Sequence, residues 1–537
     1  MNFIYSRSGI FLLSFLSGIL LSVAWPSAGF APLLFVALIP LLLAEDVIYR
    51  NNDKFHSGLL MIFSYFTFFT FNLLTTWWVK YASFFGAVAA IVCNALFMAL
   101  IFQLFHVTRK KLGVTIGYIS LIVYWVAFEH IHMDWDLSWP WLTLGNGFAG
   151  WVKMIQWYEF TGVLGGTIWV WVINIFLYMA LAGLIFKIKE YNYSKDLKLA
   201  AVILFIPVLY SVIRYYTYNE TIDPVKVAVI QPNIDPYNEK FSGMSSADQL
   251  ERILGLASRV TDSLTDYVIA PETALPDGIW EEEISEHPQI MLLQKFQETH
   301  PNADWVIGLA SNKYYPDSNQ RSATARKFTN SEGYYDSFNT AMQLNQNGKV
   351  QLHHKSKLVP GVEKMPFPAI FKHLDKFAID LGGISGSLGM QEIPSVFVDE
   401  KKNTKIAPVI CYESIYGDYL TQYIEQGAEL IFIITNDGLW SDTPGYRQHL
   451  KYATLRAIET RRSIARSANT GISCFINQRG DILQATSWWV PAALNASINK
   501  NTERTLYSYT GDILGTIALF GSAILIGFLF VKRKSNN

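Results

Sequence analysis

Residues 406 to 414 read Ile406-Ala407-Pro408-Val409-Ile410-Cys411-Tyr412-Glu413-Ser414. Short, apolar and β-branched at three positions, the run has the character of a buried strand. It delivers Cys411 to its carboxyl end, with Tyr412 and Glu413 directly behind. A free cysteine is often no more than a small core residue, so the run alone does not make a site. Two other apolar runs also close on reactive groups. Tyr267-Val-Ile-Ala-Pro-Glu272 ends on a glutamate, and Val350-Gln-Leu-His-His-Lys355 ends on a lysine. A carboxylate, an ammonium and a thiol, each closing a strand-like segment, are the parts of a nucleophilic acyl-transfer site.

The region 217–510 that holds these three ends alternates two periodicities. Strands are expected at 225–231, 267–271, 305–310, 341–344, 349–353, 405–410, 430–435 and 471–476. Helical spacing recurs in Leu250, Ile253, Leu254, Ala257, Val260 and Leu264, and again in Leu450, Ala453, Ala457 and Ile458. Such a mixture argues one α/β domain with a layered core. Glu281-Glu282-Glu283 and the polar stretch 311–334 are expected as solvated loops. The segment 366–390 mixes Phe367, Phe371 and Phe377 with Gly382, Gly383 and Gly386; it fits a mobile apolar lid or a loop-helix packed on the core.

Outside that region the chain changes character. Over 537 residues it is 51% hydrophobic, 15% aromatic and 16% charged, with a mean hydropathy of +0.21. A soluble domain carries roughly 25% charged residues, so this composition marks a membrane protein. Apolar stretches at 9–25, 30–44, 57–76, 84–106, 113–130, 161–186, 198–215 and 512–531 are expected to span, most having the length to cross about 30 Å of hydrocarbon. The first lacks a small-x-small cleavage site and runs at once into another apolar segment, so it reads as an uncleaved span and not a signal peptide. The second is short and carries Pro32 and Pro40, tolerable where neighbouring helices satisfy the freed backbone groups. Residues 1–216 then form a membrane domain of seven helices, 217–510 the α/β domain, and 511–537 a last helix with a basic tail.

The formal net charge of −1 hides a local asymmetry that orients these spans. With the amino terminus inside, the inner segments hold Arg7, Arg50, Lys54, Arg109, Lys110, Lys111, Lys187, Lys189, Lys195, Lys198, Lys532, Arg533 and Lys534, whereas the outer connections before 216 hold Lys80 and Lys153. The excess of cations places both termini in the cytoplasm and 217–510 outside, which in a bacterium is the periplasm. The outer stretch 131–160 gathers Trp135, Trp139, Trp141, Trp151 and Trp157. It reads as an interfacial aromatic belt or as a wall of a lipid-entry site. Glu129, at the end of the fifth span, is a site candidate or a group reaching the interface.

Chemistry assigns roles to the three strand ends. A thiol with a pKa near 8.5 is mostly protonated at neutral pH, so a neighbouring carboxylate must take its proton; Glu272 is the candidate general base. Lys355 is the candidate cation for thiolate and oxyanion, and the N–H of Tyr412 a second oxyanion donor. The rival base is His449, in a Cys-His pair. Cys474 reads as core; a Cys411–Cys474 disulfide would remove the nucleophile. Three cysteines are too few for a disulfide scaffold, and no Cys/His pair has zinc spacing, so no metal is expected.

Longer motifs then carry a resemblance. Pro271-Glu-Thr-Ala-Leu-Pro276, Lys355 followed by Leu358-Val-Pro360 and Glu363, and Cys411-Tyr-Glu413 resemble the Glu-Lys-Cys triad and flanks of the nitrilase, or carbon-nitrogen hydrolase, superfamily. Ala24-Trp-Pro-Ser-Ala-Gly-Phe-Ala-Pro32, Trp139-Pro-Trp-Leu-Thr-Leu-Gly145 and Gly162-Val-Leu-Gly-Gly166 resemble the membrane signatures of its apolipoprotein N-acyltransferase family. Asn436-Asp-Gly438, Thr443-Pro-Gly445, Arg456-Ala-Ile-Glu459 and Arg466-Ser-Ala-Asn-Thr-Gly471 fit the same family, and the resemblance covers essentially the whole chain. It implies an αββα sandwich outside the membrane, with Glu272, Lys355 and Cys411 catalytic and Glu363, Tyr412 and Glu413 supporting them. It implies ping-pong transfer of an acyl chain, typically from phosphatidylethanolamine, to the α-amino group of a diacylglyceryl-modified apolipoprotein. No cofactor, metal or nucleic acid is implied, and the expected state is a monomer in the bacterial inner membrane. A family tryptophan after the domain's first strand has no match, with Tyr237 and Phe241 nearest, and Leu439-Trp-Ser441 stands where paired aromatics and a glycine are common. Two other readings stand beside this one: a membrane-anchored amidase or nitrilase acting on a small soluble amide, and a transporter or receptor whose outer domain binds ligand. The latter calls for functional charges within the spans, which are few.

Overall fold

In the computed structural model, which describes every residue except 1–2, 28, 186, 189–190, 242, 368–386 and 535–537, the chain divides into two units. One comprises Met1–Lys80, Phe84–Thr217 and Thr510–Asn537, the other Tyr81–Ser83 and Tyr218–Tyr509. The expected lid at 366–390 lies mostly outside the described residues.

The strands of the second unit are β1 (Pro224–Gln231), β2 (Tyr267–Ile269), β3 (Leu275–Trp280), β4 (Asp304–Tyr315), β5 (Arg326–Lys327), β6 (Tyr334–Leu344), β7 (Val350–His354), β8 (Phe397–Asp399), β9 (Thr404–Ile410), β10 (Leu430–Thr435), β11 (Ser463–Ala468), β12 (Cys474–Ile476), β13 (Ile482–Leu483) and β14 (Ala492–Asn499). They form one sheet in the order β14-β1-β2-β4-β6-β5, with β3 also on β4 and β7 on β6, and a second in the order β13-β12-β11-β10-β9-β8. At the centre of each the strands run parallel: β1, β2 and β4 in the first, β9, β10 and β11 in the second.

Alternation along the strands sorts side chains into layers. Val225, Val227 and Val229 of β1 join Ile406, Phe432 and Ala465 of the second sheet in the inter-sheet core. Ala228 and Ile230 turn the other way, toward helix Ser246–Val260, into a second core that holds Leu250, Ile253 and Ala257 of that helix together with Ile290 and Leu293 of helix Pro288–Thr299. Strand β4 divides likewise, Val306 inward and Trp305, Ile307 and Leu309 outward. Helices Gly417–Glu425 and Pro444–Thr460 pack on the second sheet. The unit is the expected αββα sandwich, and β10, covered on both faces, is buried at all six positions.

Some local expectations are corrected. Strand β11 lacks an apolar run yet is wholly buried, because its polar side chains have partners: Ser463 and Ser467 donate to the carbonyls of Asn499 and Ile230, and Arg466 pairs with Asp437. The loop expected at 311–334 is a ladder at its ends, where β4 extends to Tyr315 and pairs it with Tyr334 and where β5 pairs with β6, and stays irregular at 316–325 and 328–333. Glu281–Glu286 is a 3-10 turn in which Glu281 accepts from Ser311. Leu264 lies beyond its helix and is exposed.

Among the described residues of the first unit eight helices are long and apolar enough to cross a membrane, beginning at Arg7, Ala31, Gly58, Phe84, Val114, Tyr158, Tyr193 and Ile513. The proline-bearing second span is broken into a 3-10 turn, Ala31–Phe35, and a helix, Ile39–Arg50, each with its proline in the first turn. Asn174 bridges the break: its amide donates to the Leu34 carbonyl (2.7 Å) and accepts from the Leu38 N–H (2.9 Å). Arg109, expected in the inner connection after the fourth span, is fully buried between Glu45 and Asp46, with His106 on the same glutamate. Charges inside a bundle persist when paired in this way.

Part of the tryptophan-bearing stretch 131–160 folds inward, while Trp135, Trp139, Trp151 and Trp157 stay half-buried. Trp141 is buried and packs on Trp78 with centroids 5.0 Å apart, which an interfacial belt does not require. Glu129 is buried too. It accepts from Trp125 Nε1 (2.9 Å), the Leu144 N–H (2.9 Å) and Thr167 Oγ1 (2.6 Å), fastening the stretch to two helices.

Candidate active site

Strand β9 ends at Ile410, and the next residue leaves the sheet in a left-handed turn: Cys411 has φ +49°. This conformation is disfavoured for a residue with a Cβ and persists where the surroundings hold it. Glu413 is the main hold. Its buried carboxylate accepts from the Ile410 N–H (2.7 Å), the Ser356 N–H (2.6 Å) and Tyr419 Oη (3.1 Å). Since Ser356 follows Lys355 and Ile410 precedes Cys411, one side chain ties the lysine strand to the cysteine turn. The Cys411 carbonyl accepts from Ser414 Oγ (2.7 Å) and lies 3.1 Å from His449 Nε2.

Lys355 closes β7 and is buried, as are Glu272 beyond β2 and Cys411. Lys355 Nζ donates to Glu272 Oε1 (2.9 Å) and Glu363 Oε1 (2.8 Å). Glu272 Oε1 also accepts from Asn339 Nδ2 (2.7 Å), and Oε2 from the Asn436 N–H (3.0 Å). Glu363 accepts from the Val359 N–H as well. Two carboxylates thus grip one ammonium. The turn carrying Glu272 comes so close to β4 that only a glycine fits opposite it: a Cβ on Gly308 would lie 2.6 Å from Glu272 Cα and from the Thr273 N.

The charge states follow from these contacts. Burial pushes the Glu272 carboxyl up, but the Lys355 ammonium, the hydrogen bonds of Lys355 and Asn339 and the charge of Lys240 outweigh it, and the net direction is down. Burial pulls Lys355 down, and Glu272 and Glu363 more than reverse it. Burial and the Glu272 charge raise Cys411 well above an ordinary thiol, with Lys355 opposing them. At neutral pH the set is therefore a thiol beside a carboxylate and an ammonium, so attack requires proton transfer to the carboxylate.

A second network stands behind the cysteine. Asp437 accepts from Arg466 (2.6 Å) and Thr435 (2.8 Å) and lies 2.9 Å from His449 Nδ1. His449 Nε2 lies 2.9 Å from Ser414 Oγ as well as 3.1 Å from the Cys411 carbonyl, so both ring nitrogens have hydrogen-bond partners of their own, which weighs against His449 as the thiol's base. Cys411, Asp437 and His449 bring ligand atoms within 4.8 Å of one another, but Asp437 and His449 are engaged with each other and with Arg466. Cys411 and Cys474 are both free, and Cys474 is core, its thiol pushed up to about 12 by burial.

All six residues named from the sequence sit in this region: Glu272, Lys355 and Glu363 in direct contact, Cys411, Tyr412 and Glu413 on the adjoining turn. Tyr237 donates to the Leu439 carbonyl (2.8 Å), and Phe241 is exposed. Sequence reasoning did not find Asn339 and Lys240. Asn339 left no signal of its own, standing among Asp336, Ser337, Thr340 and Gln343 in β6. Lys240 left none, lying in a polar turn and reaching the site only through tertiary folding.

The chain matches two family descriptions, "Apolipoprotein N-acyltransferase N-terminal domain" over residues 17–176 and "Carbon-nitrogen hydrolase" over residues 226–507. It is 30% identical to the apolipoprotein N-acyltransferase of Chlorobaculum tepidum over 98% of this chain and 97% of that protein. Identity to that of Geobacter metallireducens is 26% over 98% and 96%, and to that of Thermotoga maritima 25% over 95% and 93%. Matched from its first span to its last strand, the chain belongs to the apolipoprotein N-acyltransferase family of the nitrilase superfamily, a family of bacterial membrane enzymes.

Proposed function

We propose that the protein transfers an acyl chain from a membrane phospholipid, with phosphatidylethanolamine as donor, to the α-amino group of the S-diacylglyceryl-cysteine that begins an apolipoprotein. The observation that carries this reading is Lys355 gripped between Glu272 and Glu363 in the region where β9 delivers a left-handed Cys411. In the first half-reaction Cys411 Sγ attacks the sn-1 ester carbonyl while Glu272 takes the thiol proton. Lys355 Nζ and the Tyr412 N–H receive the oxyanion. The ester C–O bond breaks, Glu272 returns the proton to the glycerol oxygen, and a lysophospholipid leaves a thioester on Cys411. In the second, the amine attacks that thioester, an N–C bond replaces the S–C bond, and the thiol is restored. Glu363 holds Lys355, and Glu413 holds the turn that aims the sulfur.

Residues 1–216 and 511–537 anchor the enzyme in the inner membrane as a monomer with both termini in the cytoplasm, and 217–510 works in the periplasm. The excess of Lys and Arg on the inner segments supports this orientation. Because both substrates are held in the bilayer, anchoring raises their effective concentration at the thiol.

Intact mass spectrometry after incubation with phosphatidylethanolamine tests the scheme. Expected is an added mass of one acyl chain, absent in Cys411→Ala, retained in Cys474→Ala and discharged onto a diacylglyceryl-cysteine peptide. No adduct on a folded protein whose Cys411 is free would sink the scheme and turn attention to hydrolysis of small amides.

A further inference from the structure

One charged side chain at the site has no part in that scheme. Lys240 is 3% exposed. Its ammonium donates to the backbone carbonyl of Glu272 (3.1 Å) and to Thr273 Oγ1 (2.6 Å). Gln249, on helix Ser246–Val260, holds the Lys240 carbonyl (2.8 Å), and the Phe241 ring lies 5.7 Å from the ammonium. A buried ammonium is kept where something repays its desolvation, and its two hydrogen-bond partners here are neutral oxygens. The charges that it faces are those of Glu272 and, when ionised, Cys411.

Two features of the site call for such a group. Thr273 is β-branched and stands at φ +46°, a conformation that must be imposed by its surroundings, and Lys240 bonds both its hydroxyl and the carbonyl that precedes it. The charge count also needs it. Glu272 and Glu363 share the single cation Lys355, which leaves one net negative charge beside a sulfur that must become a thiolate, while Asp437 behind it is met by Arg466. Burial brings Lys240 down to about 8, so it is largely charged at neutral pH.

We propose that Lys240 is a positioning residue of the acyl-transfer site: it clamps the Glu272–Thr273 peptide in its left-handed turn and supplies the second positive charge that lets Cys411 ionise during attack. This rests on the Glu272–Lys355–Cys411 reading above. The charged and titratable groups that bear on it are Glu272 beyond β2, Lys355 beyond β7 with Glu363, Asp437 beyond β10 with Arg466 and His449, and Asp277, which lines a cavity of about 390 Å³ with Lys240.

The test is the pH dependence of the rate of Cys411 alkylation by iodoacetamide, resolved by peptide mass spectrometry on the full chain in detergent micelles free of acyl donor. Lys240→Met should react roughly tenfold or more slowly than the wild type at pH 7, where Lys240 is charged, and the two rates should converge as pH rises through about 8 and Lys240 loses its proton. Once phosphatidylethanolamine is added, the rate of acyl adduct formation at pH 7 should fall roughly tenfold or more, with KM for phospholipid changed by less than about threefold. Lys240→Arg, which keeps the charge, should match or exceed the wild-type alkylation rate at pH 7. A purely structural role would lower the unfolding temperature and leave the two rates equal or in the same ratio at every pH, and that result overturns the proposal. If Lys240→Met does not fold, Lys240→Gln carries the same test, and a pH-independent ratio there is equally decisive. Alkylation reads the thiol itself, so failure of the wild type to take an acyl chain would refute the acyl-transfer scheme separately.

Discussion

Gly308 makes no bond to any reacting group, yet replacing it with alanine should disable the site. Its strand conformation is ordinary, so Ala would normally be neutral or stabilise by about 0.4–1 kcal/mol through the unfolded chain. Here the new Cβ would meet Glu272 Cα and the Thr273 N at 2.6 Å and the Pro271 carbonyl oxygen at 2.7 Å. All three are backbone atoms, with no side-chain rotation to relieve them. To regain ordinary contact at 3.4 Å, the 271–273 turn must retreat by about 0.8 Å, a displacement of the size that costs on the order of 10²-fold in rate when it misplaces a reacting group. Overpacking of this kind also costs about 1–3 kcal/mol. The assay is the single-turnover rate of acyl adduct formation on Cys411 in Gly308→Ala, followed by intact mass, beside its thermal unfolding. A variant within about threefold of the wild-type rate and no less stable would refute the argument that close approach of this turn to β4 sets the position of Glu272.

Three further outcomes are expected. Glu413→Gln keeps the shape but leaves its amide N–H₂ facing one of the Ile410 and Ser356 donors; about 1–3 kcal/mol of stability should be lost, read by denaturant unfolding, and alkylation of Cys411 should become less selective over Cys474. The Glu272 carboxyl is lowered in the folded state, so its contribution is present above its unfolded value of about 4.3 and is lost as pH falls through the folded one. Stability should therefore decline less steeply with acidification in Glu272→Gln than in the wild type, and parallel curves would show that the carboxylate is not held down. Glu129→Ala removes the acceptor for Trp125, Leu144 and Thr167, so hydrogen exchange of the Leu144 amide should speed up by at least about tenfold, given that a lost buried hydrogen bond costs about 1–3 kcal/mol; unchanged exchange would mean that the stretch is held by packing alone.

Much of this protein was legible along one dimension. Hydropathy found the eight spans because crossing hydrocarbon needs an uninterrupted apolar length, and the proline-bearing second span was rightly marked as the one needing help from a neighbour, supplied by Asn174. Apolar runs also located β1, β2, β9 and β10 and hence the strand ends that carry Glu272 and Cys411, since a buried parallel strand advertises itself by its composition; β7, which leads to Lys355, is a half-buried antiparallel strand that showed only through Val350 and Leu352. Strand β11 escaped because its burial depends on partners, with Arg466 meeting Asp437 and Ser467 meeting the Ile230 carbonyl. The same holds for Trp141, which the sequence offered to an interface and the fold packs against Trp78, and for Lys240 and Asn339, which converge on Glu272 from remote turns and strands. A polar group is tolerated in a core only when hydrogen-bonded, and those bonds join residues far apart in the chain. The sequence alone therefore determined the spans, the sandwich and the reactive strand ends, while the tertiary structure alone decided which buried polar groups surround them, because that choice depends on distances no local pattern encodes.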